Sequence, residues 1–197
     1  GGIWRVAAGG GVPVEVVPPD PAMPSVFFLQ QVLPEGRGIL FKPSFDEIAM
    51  MLDLDVSEAT PESLEKIADW LLKAGAGVVV IKVGEHGLYL RSTSDAGRLQ
   101  RLADRCGADV SQWTGRELWS PCFEVEVIGA TGSGDLTISG FLAELSEGAT
   151  PEAALEFATA AGACACEAPN ATGGILSRQE TLARIKRGWH KCELKID

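Results

Sequence analysis

Residues 127–135 read Val-Ile-Gly-Ala-Thr-Gly-Ser-Gly-Asp, with three glycines in six positions. Before them, Phe123–Ile128 alternates apolar and acidic residues, as a strand with one exposed face does. After them comes an apolar-rich helical pattern, Gly134–Leu145. A strand must end here, the chain must turn with little side-chain bulk, and a helix must begin. The first amides of a helix have no internal partner, and the helix dipole adds partial positive charge. Glycines let those amides approach a ligand, so the segment predicts a cradle for an anion such as phosphate. The chain carries 17 Lys and Arg against 27 Asp and Glu, a net charge of −10. Its overall field repels anions, so the cradle must act through local dipoles.

The surrounding pattern predicts alternating strands and helices. Val12–Val17 reads as a strand ended by Pro18, Pro19, Asp20 and Pro21. Val26–Leu33 reads as a helix closed by Pro34, and Gly38–Lys42 as a second strand. Ser44 followed by Glu47 forms a capping-box pattern opening a helix to about Leu52. Thr60-Pro61-Glu62 starts an amphipathic helix with Leu64, Ile67, Ala68, Leu71 and Leu72 on one face. Val78–Val83 is a β-branched run suited to a strand covered on both faces. Gly84-Glu85-His86-Gly87 turns it into a hairpin with Leu88–Arg91, and residues 93–120 give no clear assignment. Helices follow at Pro151–Glu167 and Ser177–Lys186. This alternation predicts an α/β layered fold with a largely parallel sheet.

With 46% hydrophobic and 22% charged residues among 197, general disorder is excluded. No basic footprint for nucleic acid is present. The run Gly77–Val83 is interrupted by Lys82 and is too short to span a membrane. No secretory signal is recognisable at the start, and the five cysteines lack disulfide-framework spacing. Both point to a reducing, cytoplasmic setting. Cys164 and Cys166 form C-x-C, but the only histidines are His86 and His190, so thiols rather than a zinc site are expected.

Two chemistries suit the glycine turn. Gly129-x-x-Gly132 after a strand resembles the opening of a nicotinamide-dinucleotide fingerprint, but Asp135 stands where that fingerprint needs a small residue. A helix also follows where a second strand with an acidic ribose ligand is required. In the other reading, phosphoryl transfer, Asp135 in the first turn accepts the proton of an attacking hydroxyl while backbone donors hold the moving group.

Beyond this turn the chain resembles the ribokinase family of carbohydrate kinases. That family's signature, Asp-Thr-Thr-Gly-Ala-Gly-Asp, matches Gly129–Asp135, followed by Leu136–Phe141. Pro151–Ala158 resembles its next helix, and Val80–Gly87 the strand and turn beside the nucleotide. Pro43–Glu47 resembles its Pro-Asn-x-x-Glu segment, and Asp20-Pro21 its Asp followed by Pro or Asn. The resemblance implies a three-layer α/β/α sandwich forming one partial domain over residues 1–197, equivalent to the C-terminal two thirds of such an enzyme. The N-terminal strands and lid, which carry most sugar contacts, are not recognisable. It implies ATP and Mg2+ as cofactors and phosphorylation of a hydroxyl on a sugar or nucleoside-like substrate. Asp135 becomes the catalytic base, and Gly132, Ser133 and Gly134 the anion hole. Thr131, Lys82, Gly84, Gly87 and Thr159 contact the nucleotide, and Glu47 acts on magnesium through water. No nucleic-acid or membrane partner is implied, and a homodimer stays open.

Four positions depart from the family pattern, one of them Asn170, which with Ala171 stands in the loop where many members have a Gly-Ala pair near the cation site. Gly129 replaces the first signature Asp, which puts potassium activation in doubt. Ser44 replaces the Asn of the magnesium segment, and Lys82 replaces a frequent Thr, offering a phosphate-binding charge. These departures keep a non-catalytic nucleotide-binding relative as an alternative.

Overall fold

The computed structural model describes residues 3–5, 14–17, 31–32, 39–40, 44–51 and 59–194. The chain divides into two compact units, Gly1–Glu58 and Ala59–Asp197. In the first, β1 (Ile3–Arg5) pairs antiparallel with β2 (Val14–Val17), and β3 (Gln31–Val32) with β4 (Ile39–Leu40). The helix expected over Val26–Leu33 is described only at Gln31–Val32, which are strand. Helix α1 spans Phe45–Met51 and buries Phe45, Ile48 and Ala49. Its capping box forms as the sequence predicts: Ser44 N–H donates to Glu47 Oε2 at 2.7 Å, and Glu47 N–H to Ser44 Oγ at 3.3 Å. Asp20-Pro21 lies outside the described residues.

The second unit is built on a three-stranded sheet in the order β5 (Val78–Lys82), β6 (Leu88–Ser92), β7 (Glu117–Ser120). Both pairings are antiparallel, as is every pairing among the described residues, in contrast to the largely parallel sheet expected. The β5–β6 turn is too short for a crossover, which forces antiparallel pairing. The β6–β7 connection is long enough for either direction. It contains α3 (Ala96–Cys106) and α4 (Val110–Trp113), both in the stretch that the sequence left unassigned.

Strand alternation sorts the side chains into two layers. Val78, Val80, Leu88, Leu90 and Leu118 share one face. They pack with Leu99 of α3, Trp113 of α4, Phe141 and Leu145 of α5 (Ser133–Ser146), and Leu155 and Ala158 of α6 (Pro151–Cys166). Trp113 meets Phe141 edge-on, with ring centroids 6.1 Å apart. Arg91 belongs to the other face, where it reaches Glu65 (3.1 Å) and Asp69 (3.4 Å) of α2 (Pro61–Lys73). Helix, sheet and helices therefore form the three layers of an α/β/α sandwich.

Thr60 caps α2 and Thr150 caps α6, each with proline at the first helical position. Ser177 and Glu180 form a capping box on α7 (Arg178–Lys186). Helices α5 and α6 approach closely because each offers a glycine at the contact. A β-carbon on Gly140 would lie 3.1 Å from Ala161 Cβ, and one on Gly162 would overlap Thr137 Oγ1. Phe123–Ile128 is not the strand expected: only Phe123 pairs, in an isolated antiparallel bridge to Lys191. No described helix is long and apolar enough to cross a membrane.

Candidate active site

The glycine turn ends at Gly132, which adopts a left-handed backbone (φ 83°) and starts α5 without a side-chain cap. Only glycine fits there: a β-carbon would stand 2.8 Å from Ala171 Cβ and 2.9 Å from its Cα. Gly129 is held against the end of α6. Its N–H donates to Cys166 O at 3.1 Å, beside that of Ile128 at 2.8 Å. Within the turn, Ser133 donates to Ala130 O through both its N–H (3.2 Å) and its hydroxyl (2.8 Å). The turn thus closes on itself while the helix start faces outward.

Lys82 ends β5 directly over this helix start. A β-carbon on Gly134 would lie 3.3 Å from Lys82 Nζ, so the ammonium replaces the bulk that glycine leaves out. Beyond Lys82 a single helical turn, Gly84–His86, leads to Gly87 (φ 96°, ψ −134°), packed against Ser120 and Pro121. Two side-chain contacts add to the backbone bonds within that turn. Trp119 Nε1 donates to His86 O at 2.8 Å, and the Cys122 thiol reaches Gly84 O at 3.6 Å.

Between these elements lies a cleft of about 600 Å3. Lys82, Gly84 and Gly87 line it from one side, Ser133, Gly134 and Thr137 from the start of α5, and Thr159, Gly162 and Ala163 from α6. Phe123, Val125 and Val127 add an apolar wall, and Glu85 and Glu124 acidic edges. The volume suits a ligand of nucleotide size. The cleft thus combines an apolar wall with a cation and a helix N-terminus at one end, a pattern that fits a base and its phosphates.

Of the residues expected at the site, six line this cleft: Lys82, Gly84, Gly87, Ser133, Gly134 and Thr159. The Thr159 hydroxyl is buried and bonds back to Leu155 O and Glu156 O, both at 3.1 Å, so what it offers the cleft is shape. Thr131, Gly132 and Asp135 belong to the same turn and helix start but stand outside the lining. Asp135 is exposed in the first turn of α5. Glu47 belongs to the first unit, its carboxylate engaged in the α1 capping box. Among the described residues no group of three His, Cys, Asp or Glu forms a metal site. A magnesium ion carried on substrate phosphates needs only one or two protein carboxylates, so the lack of such a group does not by itself exclude one.

Sequence reading missed the sulfur content of this cleft. Cys122, Cys166 and Cys192 all line it, although they are 26 or more positions apart. Burial pushes the Cys122 thiol up to about 11, with Cys192 and Cys166 adding to the effect. No spacing rule brings these three together; the fold alone does.

A sequence model of the pfkB family carbohydrate kinases matches residues 17–178. The 2-dehydro-3-deoxygluconokinase of Bacillus subtilis (strain 168) is 28% identical over 128 residues, 65% of this chain and 32% of that protein. Ribokinase from Thermotoga maritima superposes with a TM-score of 0.52 at 26% identity, covering 72% of this chain and 39% of that one. Arabidopsis thaliana ribokinase, solved with ribose and ATP, superposes with a TM-score of 0.58 at 20% identity, covering 74% and 40%. The chain therefore spans about a third of the length of that curated relative and about two fifths of the solved structures, less than the two thirds that the motifs suggest. With the family match running through the cleft and the α5 turn alike, the chain belongs to the pfkB family of carbohydrate kinases.

Proposed function

We propose that this chain is the nucleotide-binding and catalytic portion of an ATP-dependent kinase acting on a hydroxyl of a sugar or nucleoside-like substrate. The observation that carries the reading is the placement of Lys82 Nζ over Gly134 at the start of α5, both lining a cleft with an apolar wall. Lys82 neutralises phosphate charge there, and the Gly132 and Gly134 amides stabilise charge on the transferring group, joined by Ser133 once its N–H leaves Ala130 O. Gly84, Gly87, Thr131 and Thr159 shape the nucleotide side. Asp135, outside the cleft lining but on the same helix turn, takes the acceptor hydroxyl's proton as its oxygen bonds to phosphorus and ADP departs. Magnesium would supply neutralisation of phosphate charge when bound, and Glu47 is the carboxylate that the family resemblance assigns to its water shell. Both units then belong to one partial ribokinase-like domain of a cytoplasmic enzyme.

Asp135→Asn in the complete protein tests this. Turnover is expected to fall by roughly 10²–10⁴ while ATP binding survives. Near-normal turnover would sink the assignment of the base.

A second reading, a nucleotide-binding relative without catalysis, is favoured by Gly129, Ser44 and Lys82 standing where the signature has other residues. Calorimetry with Mg-ATP, combined with a sugar panel, separates the two: binding without any phosphorylation supports it. The nicotinamide reading loses its support, because α5 runs into α6 rather than into a second parallel strand.

A further inference from the structure

We propose that Cys122 and Cys192 form an oxidisable pair in the wall of the cleft, closing as a disulfide beside the Phe123–Lys191 bridge that loosens the Gly84–Gly87 turn. The main chain places them opposite each other. Phe123 pairs antiparallel with Lys191, and the flanking bonds run from Glu124 N–H to His190 O (2.9 Å) and from Cys192 N–H to Cys122 O (2.8 Å). In that register Cys122 stands opposite Cys192 at the position of a hydrogen-bonded pair, with one of its two bonds formed, and such pairs have Cα atoms about 5.5 Å apart. That separation falls inside the range of about 4.4–6.8 Å that disulfides span. Residues opposite each other in a ladder project to the same side, and both of these line the same cavity. All five cysteines are free thiols in this structure, so the pair is available.

The two thiols differ in a way that orders the chemistry. Cys122 is half-buried, its thiol held towards the protonated form by desolvation, and engaged with Gly84 O. It is a poor first attacker, because the thiolate is the nucleophile. Cys192, on the chain segment closing the cleft, is the entry point. With a low-molecular-weight disulfide as oxidant, the Cys192 thiolate attacks one of its sulfurs and expels one thiolate. The Cys122 thiolate then attacks the Cys192 sulfur and expels the second. Two protein thiols are oxidised to one disulfide, the oxidant is reduced to two thiols, and the two protein protons pass to them. The new bond draws the Cys122 sulfur away from Gly84 O, removing one of the two side-chain contacts on the turn and leaving its own backbone bonds. The consequence for nucleotide rests on the function proposed above; the disulfide itself does not.

The chain is equilibrated in mixtures of oxidised and reduced glutathione, alkylated, digested and mapped by mass spectrometry. The expected product is one intramolecular link joining the Cys122 and Cys192 peptides, with Cys106, Cys164 and Cys166 alkylated. It should vanish in Cys122→Ser and in Cys192→Ser and persist in Cys166→Ser. Five alkylated thiols at every ratio, or a link through Cys166, would overturn the pairing, and wild-type mapping decides this even where a variant folds poorly. Calorimetry with ATP on the reduced and oxidised chain reads the second half. Several-fold weaker binding after oxidation, absent in Cys192→Ser, is expected, and unchanged affinity would overturn the coupling to the turn. If the reduced chain does not bind ATP, the nucleotide reading fails while the mapped disulfide still stands or falls alone.

Discussion

Gly84 and Gly87 bound the same turn, and the structure predicts that alanine costs very different amounts at the two. Gly84 has a left-handed backbone (φ 53°), but a β-carbon there meets nothing within 4 Å. Alanine at that position bears only the backbone term, about 1–2 kcal/mol. Gly87 combines φ 96° with ψ −134°, close to a region that glycine alone occupies, at a cost of about 1–3 kcal/mol. Its β-carbon would also overlap the Ser120 carbonyl oxygen and lie 2.9 Å from Pro121 Cα, both backbone atoms at the end of β7. Backbone cannot swing aside as a side chain can, and overpacking of this kind adds about 1–3 kcal/mol. Gly87→Ala should therefore lose roughly 2–6 kcal/mol of a total stability of about 5–15 kcal/mol. Urea unfolding of wild type, Gly84→Ala and Gly87→Ala, followed by far-UV circular dichroism, measures both. If Gly87→Ala is no less stable than Gly84→Ala, the close approach of the turn to β7 is refuted.

Four further outcomes follow from particular contacts. Arg184 holds Glu167 with both guanidinium arms and stacks 3.6 Å from the Trp189 ring centre, so Arg184→Ala should lose about 1–3 kcal/mol, with lysine restoring less than half. Arg184 hydrogen bonding holds Glu167 below the usual carboxylate range against its burial, so that stability is present near neutrality and lost on acidification; below about pH 5 the urea midpoint should fall more steeply in wild type than in Arg184→Ala. Cys122 is raised from 9.0 to about 11, so between those values the unfolded chain ionises first and stability should decline with pH, a decline that Cys122→Ser removes. Gly162→Ala should push Thr137 Oγ1 off its 2.8 Å bond to Ser133 O and destabilise the chain by about 1–3 kcal/mol, and adding Thr137→Ala should recover part of that in a double-mutant cycle.

Much of the site was legible because it is local. The turn at Gly129–Gly134, the helix start bearing Asp135, the capping box at Ser44 and Glu47, and the Thr-Pro helix starts at Thr60 and Thr150 each depend on a few consecutive residues. Local chemistry of that kind is written in spacing and residue type. The strand expected at Phe123–Ile128 failed for the complementary reason. Its alternation is present, but in the structure only Phe123 finds a pairing partner, 68 residues away at Lys191. Alternation describes which side faces in, and carries no information on whether another strand is there to receive the backbone bonds.

What the amino-acid sequence alone determined was the glycine turn and the helix start that follows it, since both follow from backbone freedom at glycine and from helix-end chemistry. What only the tertiary structure decided was the antiparallel sheet, the placement of Lys82 over Gly134, and the gathering of Cys122, Cys166 and Cys192 in one cleft. Each of these joins residues far apart in the chain, and such contacts form where closing the intervening loops is offset by burial that no single segment contains.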